Sequence, residues 1–120
     1  MTVRASSVSG SGQIDCSLNV QNPHNSSHVR GTVNVVVVAT CTSTVDYISL
    51  NAALYQNNNL VNQSGSTTSY NVSSKQSNAA VSCSDATYQG WGSYYIKFPS
   101  GYLPDSISDS KFGNAVSITC

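Results

Sequence analysis

Histidine is scarce in this chain, and its scarcity limits the chemistry on offer. His24 and His28 are the only two, and both fall in or beside one turn-rich stretch, QNPHNSSH. A Ser-His-Asp triad needs a histidine held between nucleophile and orienting acid. Asp15, Asp46, Asp85, Asp105, Asp109 and 23 Ser residues supply the other members freely. Yet no GxSxG elbow, HExxH pair or glycine-rich phosphate loop presents them. Asp105 and Asp109 have the composition of a glycosidase carboxylate pair, but in so polar a stretch they read as solvated loop residues. His24 and His28 lack a third ligand for a metal and read as turn residues facing water. The sequence therefore predicts no catalytic residue, no metal and no cofactor.

The residues that stand out are aromatic and aliphatic groups set among hydroxyls. Tyr47 and Tyr55 alternate with Ile48, Leu50, Ala52 and Leu54, so they point to the opposite face of one strand. Trp91 and Tyr95 stand opposite Tyr88, Gly90, Gly92, Tyr94, Ile96 and Phe98 on another. If the two strands are neighbours, these four aromatics form one exposed face, suited to protein contact or to stacking on sugar rings. Ordinary cross-strand pairing is the competing account of such rings. The first residues, MTVRASSVSGSG, are small and polar and read as a flexible arm over 1–12. Val3, Arg4 and Val8 are its candidate contacts, since an extended arm can join a partner's sheet edge or groove. Residues 99–114 read as a long loop carrying Tyr102, Leu103, Ile107 and Phe112, with Tyr102 a further candidate contact. Arg4 and Lys111 are the basic residues a protease inhibitor would offer to a trypsin-like pocket.

The elements that must position these groups are strands. Ile14, Cys16, Leu18 and Val20 share one face of a first strand, followed by long strands over 29–42 and Val45–Gln56. Asn57-Asn58-Asn59 makes a tight turn, because Asn tolerates positive φ. Shorter runs follow at Ser69–Val72 and around Ala79, Val81 and Cys83. Then come Thr87–Phe98 and a last strand with Val116, Ile118 and Cys120 inward. About seven alternating strands without helical periodicity predict an all-β fold, an immunoglobulin-like sandwich over residues 13–120. The immunoglobulin Cys–Trp–Cys arrangement is not met, so the architecture alone is expected.

Composition fits this reading. Val outnumbers Leu 14 to 5 and Glu is absent, which disfavours helices. Only 8% of residues are charged and the net charge is +0, so no basic footprint exists for nucleic acid or an anionic membrane. No apolar run is long enough to span a bilayer. Cys16, Cys41, Cys83 and Cys120 form no CxxC pair and read as two disulfides, which places the chain outside the reducing cytosol. Because all four fall on core-facing positions, sequential pairing, Cys16–Cys41 and Cys83–Cys120, is expected. Met1-Thr2-Val3-Arg4 has no apolar run behind it, as in a mature secreted chain with an initiator Met.

The stretch TYQGWGSYYIKFPSGYLPDS, residues 87–106, together with the ending AVSITC, resembles small secreted β-sandwich proteins of actinobacteria. The segment ISLNAALYQNNNLV, residues 48–61, is similar to their hairpin, with Asn59 where Gly is commoner. Among such proteins the chain resembles the small adaptor subunit of umbrella toxin particles. That resemblance implies an extracellular, non-catalytic adaptor. Its protein partners would be a lectin-bearing subunit and a repeat-bearing toxin subunit, held through the N-terminal arm and surface strands. The expected function is thus a secreted protein-binding module. A carbohydrate or cell-wall binding module is the alternative, and a small protease inhibitor the second.

Overall fold

Alternation of apolar and polar residues along nearly the whole chain gives the backbone one way to bury half its side chains, the strand. The computed structural model describes residues 2–10, 12–25 and 31–120. Among these there is no helix, and nine strands run antiparallel: β1 (Thr2–Ser7), β2 (Gln13–Val20), β3 (His24–Asn25), β4 (Thr32–Gln56), β5 (Asn59–Gln63), β6 (Thr67–Ser82), β7 (Ala86–Lys97), β8 (Tyr102–Leu103) and β9 (Ser106–Ile118). They form one continuous sheet in the order β8-β1-β2-β4-β7-β9, with β3, β5 and β6 also paired to β4. The fold is all-β, antiparallel and closed by the bridges Cys16–Cys41 and Cys83–Cys120, as expected.

β4 organises the rest. A straight strand of 25 residues would run about 80 Å at roughly 3.3 Å per residue, but the longest dimension of the molecule is 54 Å. β4 therefore bends, and it does so at exposed residues 42–44, between buried Cys41 and Val45. β6 follows it around the corner: Thr40 pairs with Ser74 and Val45 with Val72, so β4 carries the surplus residues of an irregularity. Before the corner β4 pairs with β2 and the second part of β6. After it, β4 pairs with β7, β5 and the first part of β6. The sheet thus doubles back into two layers, as strands that turn corners at bulges allow.

The interior is where the layers meet. Val33, Val35 and Val37 before the corner and Ile48, Leu50 and Leu54 after it are fully buried, with Ile14, Leu18, Tyr88, Ile96 and Phe98. The layers come into close contact over Gly90 and Gly92 of β7. A Cβ on Gly92 would stand 2.5 Å from Val37 Cγ1 and 3.2 Å from Val20 Cγ2, and one on Gly90 would clash with Val35. Glycine here makes room for the opposite layer's valines. Tyr88 fills the adjoining space, its hydroxyl donating to the Ser84 carbonyl at 2.9 Å and accepting from the Ser84 amide at 3.0 Å.

Several expectations are corrected. Residues 2–7 are not a free arm but strand β1, paired with β2 from Thr2↔Ser17 to Ser6↔Gln13 and with β8 on its other side. Ala5 is fully buried and Val3 packs on the core. Backbone pairing does not depend on side-chain size, so a small, polar composition did not prevent it. The strands expected at 29–42 and 45–56 are one element, as are those around 69–72 and 79–83. Residues 29 and 30 lie outside the described set. The expected loop over 99–114 is mostly β8 and β9. Its Ser and Asp residues are polar because β9 ends the path of the sheet and exposes most of its side chains, not because it is unstructured. Finally, only Cys16 and Cys41 lie in the core. Cys83 is half-buried and Cys120 exposed, since their bridge joins the ends of β6 and β9 at the rim.

Two predictions follow from this packing. Gly92→Ala pushes a methyl group into Val37 and lowers stability by about 1–3 kcal/mol, as overpacking does; adding Val37→Ala to it recovers part of that loss in urea unfolding. Tyr94 is 3% exposed and its hydroxyl has no partner among the described residues. Burial, and then the charge of Asp109, push its pKa up to about 12. The unfolded chain releases this proton from about pH 10 while the folded protein still holds it. Stability therefore falls as pH rises from about 10 to about 12. Tyr94→Phe is expected to raise stability at neutral pH by about 1 kcal/mol, by removing an unsatisfied buried hydroxyl, and to lessen the alkaline loss measured by denaturant titration.

Candidate functional site

The outer face of the second layer is built by register. β4 and β7 pair antiparallel from Tyr47↔Lys97 to Gln56↔Tyr88, so the two aromatic strands are neighbours. β9 pairs on the far side of β7, bringing Ser108 beside Tyr95, Ser110 beside Ser93 and Phe112 beside Trp91. Three cross-strand rows result: Ser49–Tyr95–Ser108, Asn51–Ser93–Ser110 and Ala53–Trp91–Phe112. A polar row lies between two rows that carry aromatic rings.

The predicted aromatics do not form one patch; they divide between the two ends of the face. At one end the Tyr47 and Tyr95 rings stack with centroids 5.8 Å apart, and Tyr70 of β6 tilts against Tyr47 at 5.7 Å. Tyr47 and Tyr95 are diagonal neighbours, near enough for rings to meet. At the other end Tyr55 meets Phe112 edge-on at 5.4 Å, beside Trp91. Tyr70 was not legible as a partner, because its place opposite Tyr47 depends on how β6 follows the corner of β4. Tyr47 is held above the ordinary tyrosine pKa, first by desolvation, then by the adjoining Tyr95 hydroxyl, with smaller contributions from Tyr70 and Asp46.

Between these ends lies a shallow groove of about 400 Å³, edged by Trp91 and Tyr95 and floored by Ser49, Ser93, Ser108 and Ser110. Ser66, on the loop between β5 and β6, closes one side. That loop is pinned over β4: the Ser64 amide donates to the Ala52 carbonyl at 2.8 Å, and its hydroxyl accepts from the Ala52 amide at 3.0 Å. Neither Lys nor Arg lines the groove, and Asp109 is its one charged residue.

A second exposed surface lies at the tip of the first layer. The β1–β2 turn and β8 meet there, with the Val8 amide donating to the Gly101 carbonyl at 2.7 Å and Ser7 paired with Tyr102. Val8 and Leu103 are 67% and 63% exposed. Tyr102 packs inward beneath them, its hydroxyl close enough to Gly12 that a Cβ there would stand 3.2 Å away. Two predicted contacts, Val8 and Tyr102, are thus brought together, although they were assigned to different segments.

The other two predicted arm contacts are occupied within the protein. Val3 serves the core. Arg4 lies directly opposite Asp15 and donates two hydrogen bonds to its carboxylate, Nε at 2.6 Å and Nη2 at 3.2 Å. This pair raises the Arg4 pKa and lowers that of Asp15. Arg4 and Lys111 both sit within strands, not on a projecting loop of the kind that enters a protease pocket. His24 Nδ1 lies 3.3 Å from the Asn22 carbonyl, while His28 lies outside the described residues. Among the described residues no three His, Cys, Asp or Glu side chains gather, and no helix is long and apolar enough to cross a membrane. No protein-family model, no curated protein and no solved structure matches this chain.

The Tyr47–Tyr95 stack can be checked by its ionisation. In an NMR-monitored pH titration, Tyr95→Phe is expected to bring the Tyr47 pKa closer to the ordinary value, leaving the part due to burial. An unchanged shift would mean that the Tyr95 hydroxyl has no effect on it.

Proposed function

We propose that this protein is a non-catalytic extracellular binding module, an adaptor that joins two partners. The observation that carries this reading is the presence of two separate exposed surfaces on one cross-linked sheet: the Val8–Leu103 tip of the first layer and the aromatic face of the second. Exposed aliphatic and aromatic groups on a domain with so few charges favour contact by burial over charge pairing. Tyrosine and tryptophan lend themselves to this because they give large contact area for few rotatable bonds. Two disulfides are compatible with an extracellular setting.

The tip is the protein-binding end in this reading. Its backbone is fixed by β1–β8 pairing, so a partner meets a preformed apolar knob and pays little ordering entropy. The resemblance over residues 87–106 and 115–120 supports larger components of an antibacterial toxin particle as partners. Of these, the tip would hold one protein, a repeat-bearing toxin subunit or a lectin-bearing subunit.

Deleting residues 1–12 is a poor test, because it strips β1 from the edge of β2. The sharper test places charge on the knob. Val8→Asp with Leu103→Asp is expected to abolish recovery of the protein partner from native culture fluid, with an unchanged thermal melt, because each change costs roughly 1–2 kcal/mol or more of binding at a central contact. Equal recovery by the folded double variant would remove the tip from the interface.

A further inference from the structure

We propose that the groove between Trp91 and Tyr95 binds a neutral, polyhydroxylated glycan chain, making the aromatic face the sugar-binding end of the adaptor. The inference rests on reading that face as a binding surface and names the chemistry of its ligand.

Geometry is the first argument. Trp91 and Tyr95 lie on one face of β7, and their positions along the strand are separated by about 13 Å. Ser93 lies midway between them and faces the same way, flanked by Asn51 on β4 and Ser110 on β9. A sugar chain has the matching alternation: the C–H faces of its rings are apolar and stack on aromatic surfaces, while its hydroxyl rims exchange hydrogen bonds. Rings at the two aromatic rows would leave hydroxyls over the polar row between them.

Polar accounting is the second. The side-chain hydroxyls of Ser93, Ser108 and Ser110 make no hydrogen bond with the described residues, so they are available to a ligand. Ser49, by contrast, is engaged with Thr68 at 2.6 Å. An apolar peptide side chain pressed into the groove would strip water from these hydroxyls and return no partner, which is costly. A polyol returns both donors and acceptors. Water can bridge whatever the direct contacts miss.

Charge is the third. Recognition of phosphate, sulfate or carboxylate calls on Arg or Lys, and neither lines the groove. Lys97, two positions beyond Tyr95, directs its Nζ to the carbonyls of Phe98 at 3.3 Å and Asp105 at 3.4 Å. The site therefore selects for neutral glycans over sialylated, sulfated or phosphorylated ones.

The test uses the whole chain on an array of neutral and anionic oligosaccharides, followed by fluorescence titration with the best neutral binder. Trp91 is the sole tryptophan, so its emission reports directly on the groove. Wild type is expected to bind neutral glycans with a change in that emission. Tyr95→Ala and Trp91→Ala are each expected to weaken binding by roughly tenfold or more, with Trp91→Phe retaining most of it. Ser93→Ala should cost a few-fold, and the tip variant Val8→Asp with Leu103→Asp should bind sugar as wild type does. Thermal melts check that each variant is folded, and Tyr95→Ala, at a partly exposed position, stands in if Trp91→Ala fails to fold. The proposal is overturned if no neutral glycan binds, if only anionic glycans bind, or if folded Tyr95→Ala binds undiminished. If neutral glycans fail but Tyr95→Ala loses a protein partner, the glycan assignment falls and the face remains a protein-binding surface. If Tyr95→Ala alters neither, the face is not a binding surface at all.

Discussion

The tight contact of Gly90 and Gly92 of β7 with the valines of β2 and β4 sets the form of this protein. Every other residue type at those positions would place a Cβ against Val35 or Val37. With glycine there, the half of the sheet after the corner of β4 can lie directly on the half before it. The core then closes over a ladder of small β-branched side chains, with Val33, Val35 and Val37 completely buried beside the larger Tyr88 and Phe98. Interiors pack to crystal-like density, so this spacing fixes which side chains can sit across from one another. The covalent structure reinforces the arrangement at both ends. Cys16 and Cys41 are opposed in register just before the corner, and Cys83–Cys120 ties the end of β6 to the end of β9 where the two layers would otherwise part. Bridges closing spans of 25 and 37 residues each remove about 3–4 kcal/mol of unfolded-state freedom in the chain-entropy account.

The same doubling back decides what the outer face looks like. Because β7 pairs with β4 only after the corner, the residues that alternate with the glycines, Trp91, Ser93 and Tyr95, must face solvent beside Ser49, Asn51 and Ala53. The aromatic rows are thus a consequence of the packing on the other side of the strand. Shifting β7 by one residue would bury Trp91 against Val35 and Val37 and expose Tyr94 and Ile96, a cost no surface contact offsets. Ring positions set in this way are held by a rigid frame, which is what a binding face needs if ordering is not to consume its affinity.

Much of this was legible in the sequence, and what was not has physical causes. Period-two alternation identifies a strand face from local residues alone, so the inward sets of β2, β4 and β7 and the outward Tyr47, Tyr55, Trp91 and Tyr95 could be read directly. The tight turn after Gln56 was also local: Asn57 and Asn58 both adopt positive φ. The bridges followed the expected pairing, although the premise that all four cysteines are inward holds only for the first. Relations set by distant parts of the chain were less visible. Nothing near residue 5 shows that a small alanine will be buried, because burial comes from β2 and the layer beneath. Nothing in SISDSKFGNA shows an ordered edge strand, because pairing with β7 supplies its order while most of its side chains stay in water. The fusion of neighbouring strands at the corner of β4 was hidden because exposed Thr42, Ser43 and Thr44 resemble a loop.

The pairing of β1 alters how the proposed adaptor would work. A flexible arm captures a partner by folding on it, and part of the interaction energy is then lost to ordering. Here residues 2–7 have already spent their freedom on the sheet, with Arg4 paired to Asp15 and Val3 against the core. What remains for a partner is the turn that follows, where Val8 bonds to Gly101 and Leu103 lies opposite Ser6 because β8 crosses to pair with β1. The positive φ of Gly101 turns the chain as it enters β8. A partner bound at the tip, as proposed, would meet a surface already ordered by the sheet. A partner held there and a ligand held on the aromatic face would be linked by a cross-linked sheet and not by a tether, so binding one would fix the orientation of the other.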